Sequence, residues 1–518
     1  MAKQIRTGQH IPDILDCLAQ LSNDEVPTPP KLARSLLDLL PGEVWGRADY
    51  VWLDPFCKSG IFLREIAARL LDGLSEQIPN FEERREHIYR KMLWGTAITE
   101  MTGMISRRSL YYSRNAKGPT SVVQSEREDG NLPFIQTSHT FPMRADGTVS
   151  GACLLCGAPI AIERGEDREN HAYSFIHGTY PTEELKTLKF DVIIGNPPYQ
   201  LEDTGNGVSA TPIYQHFVRQ AIRLNPKYLV MITPSRWFAG GKWLNEYRAG
   251  MIADRHIQKL IDNPKLFDCF PGVEIKGGVS YFLWSRDHDG DCEFSTRVDG
   301  VVTSTATRDL REGAGVLLRD NTAIPVVHRV TARGEPTVDQ LFKGRTPFGI
   351  QTSFKQYVAA GTDGAIRVHR RERDEVWTTA ENVPTRHEWI KPIKVLITKA
   401  ADGHGRVPAA VLGNPFVADG NSVCTDTFLI ARLCKSTAEA EYFSAYLRTK
   451  FVRFLVHQRK PTQDTRGDQF TFVPDLPMDH IWTDPELYER YEFTPSEIAY
   501  VESQIRSTVA PEGDAEDE

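Results

Sequence analysis

Short apolar runs alternate with amphipathic stretches over roughly the first half of the chain. The apolar runs have the length of strands and include "YVWLDPF", "MLWGTAI", "FDVIIG" and "YLVMITPS". Between them lie stretches with helical periodicity, such as "IFLREIAARLLDGL" and "PIYQHFVRQAIRLN". Strands that alternate with helices predict a parallel sheet covered by helices on both faces. We therefore expect a doubly wound α/β domain over residues 26–290, preceded by a short helix within residues 1–25.

Two regions depart from this alternation. From about residue 107 to 170 the chain is rich in Ser, Arg, Gly and Asn, and this segment is too long for a simple connection. It is either an inserted module or disorder. After residue 290, Thr, Val, Gly and Arg become frequent and turn residues recur at short intervals, which predicts a second, C-terminal α+β domain over residues 291–500.

One helix of this second domain has a marked beginning and end. The capping box Ser436–Glu439 begins it, and Pro461 follows its last turn. Its apolar positions lie four apart, which predicts one continuous helix with a single buried face. These positions are Phe443, Leu447, Phe451 and Leu455.

Composition and charge leave a nucleic-acid partner possible. At 518 residues the chain exceeds a single core, and its 40% hydrophobic and 25% charged content is typical of a soluble protein. Apolar runs of membrane-spanning length and a secretory signal are both missing, so we expect a cytoplasmic protein with no membrane partner. The net charge of −8 includes five acids in the tail "PEGDAEDE", and residues 501–518 are predicted to be partly disordered. Local basic patches matter more for DNA binding than this total.

The stretch "WLDPFCKSGIFLREIAARL" joins a strand to a helix through a turn of small residues. In a doubly wound sheet, a ligand binds at the carboxyl end of the first strand. Gly60 lets the backbone approach a ligand closely, and the start of the helix offers free N–H groups. A plain strand-turn-helix explains the same residues, because one short glycine motif is a weak signal.

The tetrapeptide "NPPY", residues 196–199, follows another apolar strand. Two prolines fix the backbone, so Asn196 and Tyr199 are held in a rigid frame. An asparagine side chain can accept a hydrogen bond from an exocyclic amino group, and a tyrosine ring can stack on a base. The alternative is an ordinary turn after a buried strand.

Taken in order, "TPP", "DPFCKSGIF", "NPPY" and "ITPSRWF" resemble the gamma class of adenine-specific DNA methyltransferases of the restriction-modification type. The resemblance covers about residues 25–285. It implies a Rossmann-like methyltransferase sheet followed by a target-recognition domain. It also implies transfer of a methyl group from S-adenosylmethionine to the N6 amino group of an adenine that is flipped out of double-stranded DNA.

The resemblance assigns residues to two parts of this site. Those implied at the target base are Asn196, Pro197, Pro198 and Tyr199. Those implied at the cofactor are Thr28, Asp54, Pro55, Phe56, Gly60 and Glu100. Two positions depart from the family pattern. Lys58 stands where glycine is usual, and Ala97 stands where an acid usually binds the ribose, which leaves Glu100 as the nearest acid.

The inserted segment contains a C-x-x-C-G turn. Zinc takes four N or S ligands, so the two cysteines and two histidines would make a structural site. We predict the ligands Cys153, Cys156, His139 and His171. His171 is preferred to His177 because "AYSFIHG" predicts a strand. A polar insert with few apolar residues needs a bound metal ion to stabilise its fold. The alternative is that the two cysteines are buried free thiols.

Basic residues cluster outside the predicted catalytic core. The stretches "LRTKFVRFLVHQRK" and "IRVHRRER" lie where sequence readout would occur, although a run of charge is often only a solvated face. The predicted DNA contacts are Arg370, Arg371, Arg453, Arg459 and Lys460.

The leading hypothesis is therefore a site-specific adenine-N6 DNA methyltransferase, the modification component of a restriction-modification or phage-defence system. Its expected partners are DNA and a cognate restriction endonuclease or helicase subunit. The alternatives are a protein glutamine methyltransferase, which also uses NPPY in a shorter chain, and a DNA-recognition subunit that needs a partner for activity. A cytosine-N4 enzyme is disfavoured because it usually has Ser in place of Asn196. A nuclease built on Asp268, Glu274 and Lys276 is disfavoured because that stretch lies inside the core.

Overall fold

The structure is a computed structural model. It describes residues 27–149, 151–158, 172–201, 211–241, 243–265, 267–270, 275, 277–313, 315–372, 374–401, 407–460 and 463–507. The predicted helix within residues 1–25, His171, the Glu274 and Lys276 pair, and the tail from residue 508 lie outside the described residues. The chain divides into two compact units, one of residues 1–237 and 241–310 and the other of residues 238–240 and 311–518.

The first unit is built around one large sheet. Its strands are β1 (Trp52–Cys57), β2 (Leu93–Ala97), β3 (Val192–Gly195), β4 (Gln200–Leu201), β5 (Thr211–Pro212), β6 (Tyr228–Pro234), β7 (Ile257–Asn263), β8 (Val279–Ser285), β9 (Cys292–Val298) and β10 (Val301–Arg308). Its helices are α1 (Pro30–Leu37), α2 (Ile61–Gly73), α3 (Phe81–His87), α4 (Glu100–Tyr111), α5 (Tyr214–Arg223) and α6 (Asn245–Ala253). The sheet order is β10-β9-β7-β8-β6-β3-β1-β2, and β4 and β5 form a separate pair.

The order of the strands reverses between β1 and β3. Strand β1 pairs in parallel with β2 on one side and with β3 on the other, and β3 continues in parallel to β6. Strand β8 lies antiparallel between β6 and β7. The large central sheet confirms the predicted α/β class. A crevice at the carboxyl ends of β1 and β3 is the usual ligand site of such a sheet.

Both faces of the central strands are covered. Along β6, the consecutive residues Leu229, Val230, Met231 and Ile232 are all fully buried. On one face, Val230 and Ile232 pack with the apolar side of α1 and α2. Burial on both sides explains why these strands are continuous apolar runs rather than alternating ones.

The sheet extends beyond the boundary predicted at residue 290. Strand β9 pairs in parallel with β7, and β10 forms an antiparallel hairpin with β9. The first unit therefore ends at residue 310. The change in composition after residue 290 reflects this edge hairpin, whose outer strand exposes alternate side chains, and not a change of unit.

The described part of the insert is folded against the edge of the sheet. Helix α4 runs to Tyr111, beyond the predicted start of the insert. Later in the insert, two carbonyl groups bond to strand β2. The carbonyl of Asn131 accepts from the N–H of Gly95 at 3.0 Å, and the carbonyl of Pro133 accepts from the N–H of Ala97 at 3.0 Å. Residues 131–134 thus cover the edge of β2, although "NLPF" carries no strand-like alternation.

The second unit combines two small sheets with helices. Its strands are β11 (Ile366–His369), β12 (Val376–Thr378), β13 (Ile393–Thr398), β14 (Phe416–Ala418), β15 (Ser422–Cys424) and β16 (Phe428–Cys434). Its helices are α7 (Ala323–Thr331), α8 (Thr437–Arg448), α9 (Lys450–His457), α10 (Asp484–Arg490) and α11 (Pro495–Gln504). The sheets have the orders β12-β11-β15 and β14-β13-β16.

The single helix predicted after Ser436 is two helices. The Ser436 hydroxyl accepts from the N–H of Glu439 at 3.2 Å, as a cap should. However, α8 ends at Arg448, and the backbone of Thr449 is extended. The Thr449 side-chain hydroxyl accepts from the N–H of Val452 and caps α9. The four-residue spacing continues across the break, so periodicity alone could not find it.

A membrane crossing requires a longer and more apolar helix than any among the described residues.

Candidate active site

The carboxyl end of β1 carries a buried carboxyl group. Asp54 is only 3% exposed, and its Oδ1 accepts a hydrogen bond of 3.2 Å from the N–H of Phe56. Burial raises the pKa of Asp54 to about 7, against the opposing effects of that hydrogen bond and of the charge on Lys58. Pro55 is also buried within the strand. An ionisable group held this way in a ligand crevice is typical of a functional site.

The turn after β1 requires a glycine. Gly60 has φ of +71°, and a Cβ atom placed there would lie 2.8 Å from the carbonyl oxygen of Ser106 in α4. Helix α2 begins at the next residue, so its first N–H groups lie directly behind this close contact. The glycine therefore lets α4 pack against this turn, and the start of α2 follows directly at the carboxyl end of β1.

The NPPY loop is fastened to the start of α1. The Asn196 side-chain nitrogen donates a hydrogen bond of 3.1 Å to the hydroxyl of Thr28, and both residues are buried. Pro197 and Pro198 are buried as well. The structure thus brings Thr28, predicted at the cofactor, together with Asn196, predicted at the base, across 168 positions of the chain.

The two loops also meet at Gly195. A Cβ atom at this position would lie 2.3 Å from the Phe56 ring and 2.9 Å from the Asp54 carboxylate. Because Gly195 has no side chain, the first loop can lie directly against the backbone that leads into Asn196. The sequence marked both loops separately, whereas their contact depends on this glycine.

Tyr199 is held by contacts to its ring. The Lys58 ammonium lies 5.9 Å from the centre of the ring, and Phe270 meets it edge-on at 6.4 Å. The Tyr199 hydroxyl is buried without a hydrogen-bond partner among the described residues, and burial raises its pKa above the ordinary value.

Sequence reasoning missed an aromatic cluster behind the first loop. The rings of Phe56 and Phe217 meet edge-on at 5.4 Å, and those of Phe56 and Phe175 at 6.2 Å. Phe175 and Phe217 stack at 6.4 Å with their planes 6° apart. The only available signal was the aromatic density of "AYSFIHGTY" and "IYQHF", which does not reveal that the two segments meet.

Glu100 lies at the same edge of the sheet. It is exposed at the start of α4, just beyond the carboxyl end of β2, and β2 neighbours β1. Thr99 caps the helix by accepting from the N–H of Thr102 at 3.1 Å. Glu100 is therefore not the residue that caps α4, and its side chain is exposed beside the strands β1 and β2.

Four N and S atoms converge in the insert. The ligand atoms of His139, Cys153, Cys156 and His177 all lie within 4.8 Å of one another. The Cys156 sulfur is 3.4 Å from His139 Nδ1, and the Cys153 sulfur is 3.9 Å from His177 Nε2. This donor set matches the four N or S ligands of structural zinc.

Among the described residues, His177 is the second histidine of this cluster, and His171 lies outside the described residues. The strand predicted for "AYSFIHG" is not formed, because the described residues make one bridge at Ala172 and then a series of turns. These turns bring His177 to the cysteines.

The basic residues of the second unit differ in their exposure. Arg453 and Lys460 are 2% and 4% exposed and donate to backbone carbonyls, Arg453 to that of Arg448 at 3.0 Å and Lys460 to that of Val411. Their burial argues against the DNA contacts predicted for them.

The other three predicted contacts are more accessible. Arg371 is exposed. Arg370 is paired with Asp374 through a 2.6 Å hydrogen bond and lies over the Tyr357 ring. Arg459 is half-buried over the Phe472 ring, which leaves Arg371 as the cation most open to a phosphate.

Comparison with known proteins identifies the family. Residues 91–270 match the model of the Eco57I restriction-modification methylase. An uncharacterized adenine-specific methylase of Mycoplasma pneumoniae is 36% identical over 337 residues, which span 60% of this chain and 78% of the relative. The chain belongs to the adenine-specific methylases. The matched segment includes the NPPY loop, the cluster of His139, Cys153, Cys156 and His177, and Glu100 of this methylase.

Solved structures give more distant likenesses at 10% identity. A nuclease-deletion mutant of the Type ISP restriction-modification enzyme LlaGI with a DNA substrate mimic has a TM-score of 0.46, over 85% of this chain and 52% of that one. The DrdV-DNA complex has a TM-score of 0.45, over 88% of this chain and 56% of that one. The Type IIL enzyme MmeI with DNA has 0.45, over 86% and 64%. This chain thus spans less than two thirds of each, and the family assignment comes from sequence.

Proposed function

We propose that this methylase transfers the methyl group of S-adenosylmethionine to the N6 amino group of an adenine flipped out of double-stranded DNA, as a gamma-class enzyme of a restriction-modification or phage-defence system. The observation that carries the proposal is the joining of its two loops at the switch point. Asn196 is fastened to Thr28, and Phe56 and Asp54 lie against Gly195. Methyl transfer requires a donor and an acceptor held rigidly in register, and this arrangement supports it.

The cofactor side of the crevice suits S-adenosylmethionine. When bound, this cofactor supplies an electrophilic methyl group on a sulfonium centre. Asp54, Pro55, Phe56 and Gly60 would form the wall of its pocket, and the free N–H groups at the start of α2 suit its carboxylate. Glu100 would accept hydrogen bonds from the ribose hydroxyls. Thr28 contributes through its bond to Asn196.

The acceptor side uses the NPPY loop. Because the Asn196 nitrogen donates to Thr28, the carboxamide oxygen is the group with which this side chain accepts. That oxygen and the Pro197 carbonyl would accept from the N6 amino group and orient its lone pair, while Pro198 stiffens the loop. Tyr199 would stack on the base and offset part of the cost of flipping, which is a few kcal/mol. The reaction needs no covalent enzyme intermediate, only positioning and electrostatics.

A methyl-transfer assay tests this proposal. Wild-type protein with labelled S-adenosylmethionine is expected to label duplex DNA and not release-factor protein, the substrate of the glutamine methyltransferase alternative. Asn196→Ala should abolish labelling while the protein stays folded at the assay temperature, although loss of the buried hydrogen bond to Thr28 should lower its melting temperature. Gln77→Ala, which removes an amide elsewhere in the unit, should keep labelling. Labelled DNA with Asn196→Ala would overturn the mechanism. Unlabelled DNA with wild-type protein would favour a recognition subunit.

We also propose that His139, Cys153, Cys156 and His177 bind one structural zinc ion. The convergence of their four ligand atoms within 4.8 Å supports it. Metal analysis of purified protein should give one zinc per chain. His177→Ala should lose the metal and His171→Ala should keep it, and the opposite result would restore the assignment made from sequence.

The second unit is proposed to recognise the DNA sequence. Arg371 is exposed and would contact phosphates or bases. Its neighbour Arg370 and the more distant Arg459 are half-buried and would add further contacts. The proposed setting is the cytoplasm, with a cognate restriction endonuclease or helicase subunit as partner. Co-purification of the tagged chain from its native host would reveal such a subunit.

A further inference from the structure

Lys58 and Tyr199 come from different loops and meet at the crevice. Lys58 is only 7% exposed, and its ammonium lies 5.9 Å from the centre of the Tyr199 ring. The backbone of Lys58 is fixed as well, because its carbonyl accepts a 3.4 Å hydrogen bond from the hydroxyl of Ser106. The loop and α4 therefore fix the backbone from which the Lys58 side chain extends toward the Tyr199 ring.

The ring of Tyr199 depends on such contacts for its orientation. Its hydroxyl has no hydrogen-bond partner among the described residues, so the polar end of the side chain does not anchor it. The ring packs against the apolar core of the first unit, with the ammonium of Lys58 5.9 Å from its centre and the Phe270 ring nearly perpendicular to it at 6.4 Å. A cation over an aromatic ring is attracted by the negative charge of the ring face, more strongly when both groups are withdrawn from water.

We propose that Lys58 is a positioning residue for the target base. It holds one face of the Tyr199 ring and leaves the other face for the flipped adenine. The inference rests on the proposed function, in which Tyr199 stacks on the base. The ammonium also draws the electron density of the ring toward itself, which reduces repulsion between the far face and the π electrons of a stacked purine.

A second role for Lys58 is the natural rival. Its charge lies close enough to Asp54 to lower the pKa of that carboxyl group, so it could instead act on the cofactor side of the crevice. The two roles differ in what they affect. A residue that orients Tyr199 changes DNA binding and base flipping, whereas a residue that binds the cofactor changes the affinity for S-adenosylmethionine.

The test measures both affinities in charge variants of Lys58. Lys58→Met keeps the length and the apolar stem without the charge, and Lys58→Arg keeps the charge. Base flipping is followed by the fluorescence of 2-aminopurine at the target position, and cofactor binding by calorimetry. We expect Lys58→Met to raise the KM for DNA and to lower the flipped fraction by roughly 2- to 30-fold, the range of a single cation–π contact. Lys58→Arg should restore most of both, and cofactor affinity should stay within about twofold in each variant.

A double-mutant cycle links the effect to the ring. In a Tyr199→Leu background the ring is absent, so Lys58→Met should cause no further loss. The proposal is overturned if Lys58→Met acts equally in both backgrounds, or if it weakens cofactor binding and leaves flipping unchanged. Lys58→Gln replaces Lys58→Met if the latter does not fold. A wild-type protein that neither flips nor methylates DNA would refute the proposed function itself, whereas failure of the Lys58 proposal appears only in the variants of an active enzyme.

Discussion

Replacing Asp54 by asparagine should stabilise the first unit, and by an amount that depends on pH. The carboxyl group is buried, and its pKa is raised to about 7 from an ordinary value of 3.8. Asparagine has the same shape, and its oxygen can still accept the 3.2 Å hydrogen bond from the N–H of Phe56. The variant therefore removes the ionisation and little else.

The sign and size follow from the two pKa values. Below about pH 4 the group is protonated in both the folded and the unfolded protein, so wild type and Asp54→Asn should be equally stable. Between about pH 4 and 7 only the unfolded protein releases the proton, and the wild type loses stability as pH rises. Above about pH 7 the full cost is present. At 1.36 kcal/mol for each unit of pKa, the shift corresponds to about 4 kcal/mol.

Hydrogen exchange measured by mass spectrometry is the appropriate assay, because it reports the opening free energy of one peptide in a chain of two units. The peptide covering β1 should exchange more slowly in Asp54→Asn than in wild type at pH 8, with the difference vanishing near pH 4. A difference that is the same at both pH values would refute the argument, since it would show that Asp54 has an ordinary pKa. A less stable variant at pH 8 would refute it as well.

Three further predictions test other contacts. Gly195→Ala places a methyl group 2.3 Å from the Phe56 ring and should reduce methylation at least about tenfold, because it displaces one catalytic loop. The control Gly250→Ala adds a Cβ that meets nothing within 4 Å and should keep full activity in the same assay. Arg453→Ala should lower the melting temperature of the second unit because Arg453 is buried, whereas exposed Arg371→Ala should leave stability unchanged and weaken DNA binding in a salt titration. If the proposed zinc is bound, a chelator should weaken S-adenosylmethionine binding in calorimetry and lower the melting temperature of the first unit, because His177 lies two residues from Phe175 of the aromatic cluster behind the first loop.

The parts of the fold that depend on local pattern could be predicted from the sequence. The apolar runs that became β1, β3 and β6 are continuous because both faces of these strands are buried, and that property is visible in the residues themselves. The predicted boundary at residue 290 rests on composition, whereas the first compact unit continues to residue 310. The composition changes where strands become half-exposed, as in β10, and not where the first unit ends.

Contacts between distant segments could not be predicted in this way. Nothing near Thr28 indicates that its hydroxyl accepts from Asn196, since the two residues meet only after the sheet has formed. His177 reaches the cysteines because its segment turns, although an aromatic, β-branched stretch favours a strand. Arg453 resembles a surface cation in sequence, and backbone carbonyls that satisfy its donors allow it to be buried.

Lys58 shows how a departure from a family pattern can carry information that the pattern lacks. A lysine in place of glycine suggests a weakened cofactor loop if only the loop is considered, because the extra cation would lie near a sulfonium centre. In the folded protein the side chain reaches the ring of Tyr199 in the other loop and is only 7% exposed to solvent. Burying an ammonium is unfavourable unless it gains partners, and the Tyr199 ring is one such partner in the site. The same crevice keeps Asp54 buried a few residues away. A cation and a carboxyl group with a raised pKa are thus held out of water where the two loops meet, which is where a methyl donor and its acceptor would have to be aligned.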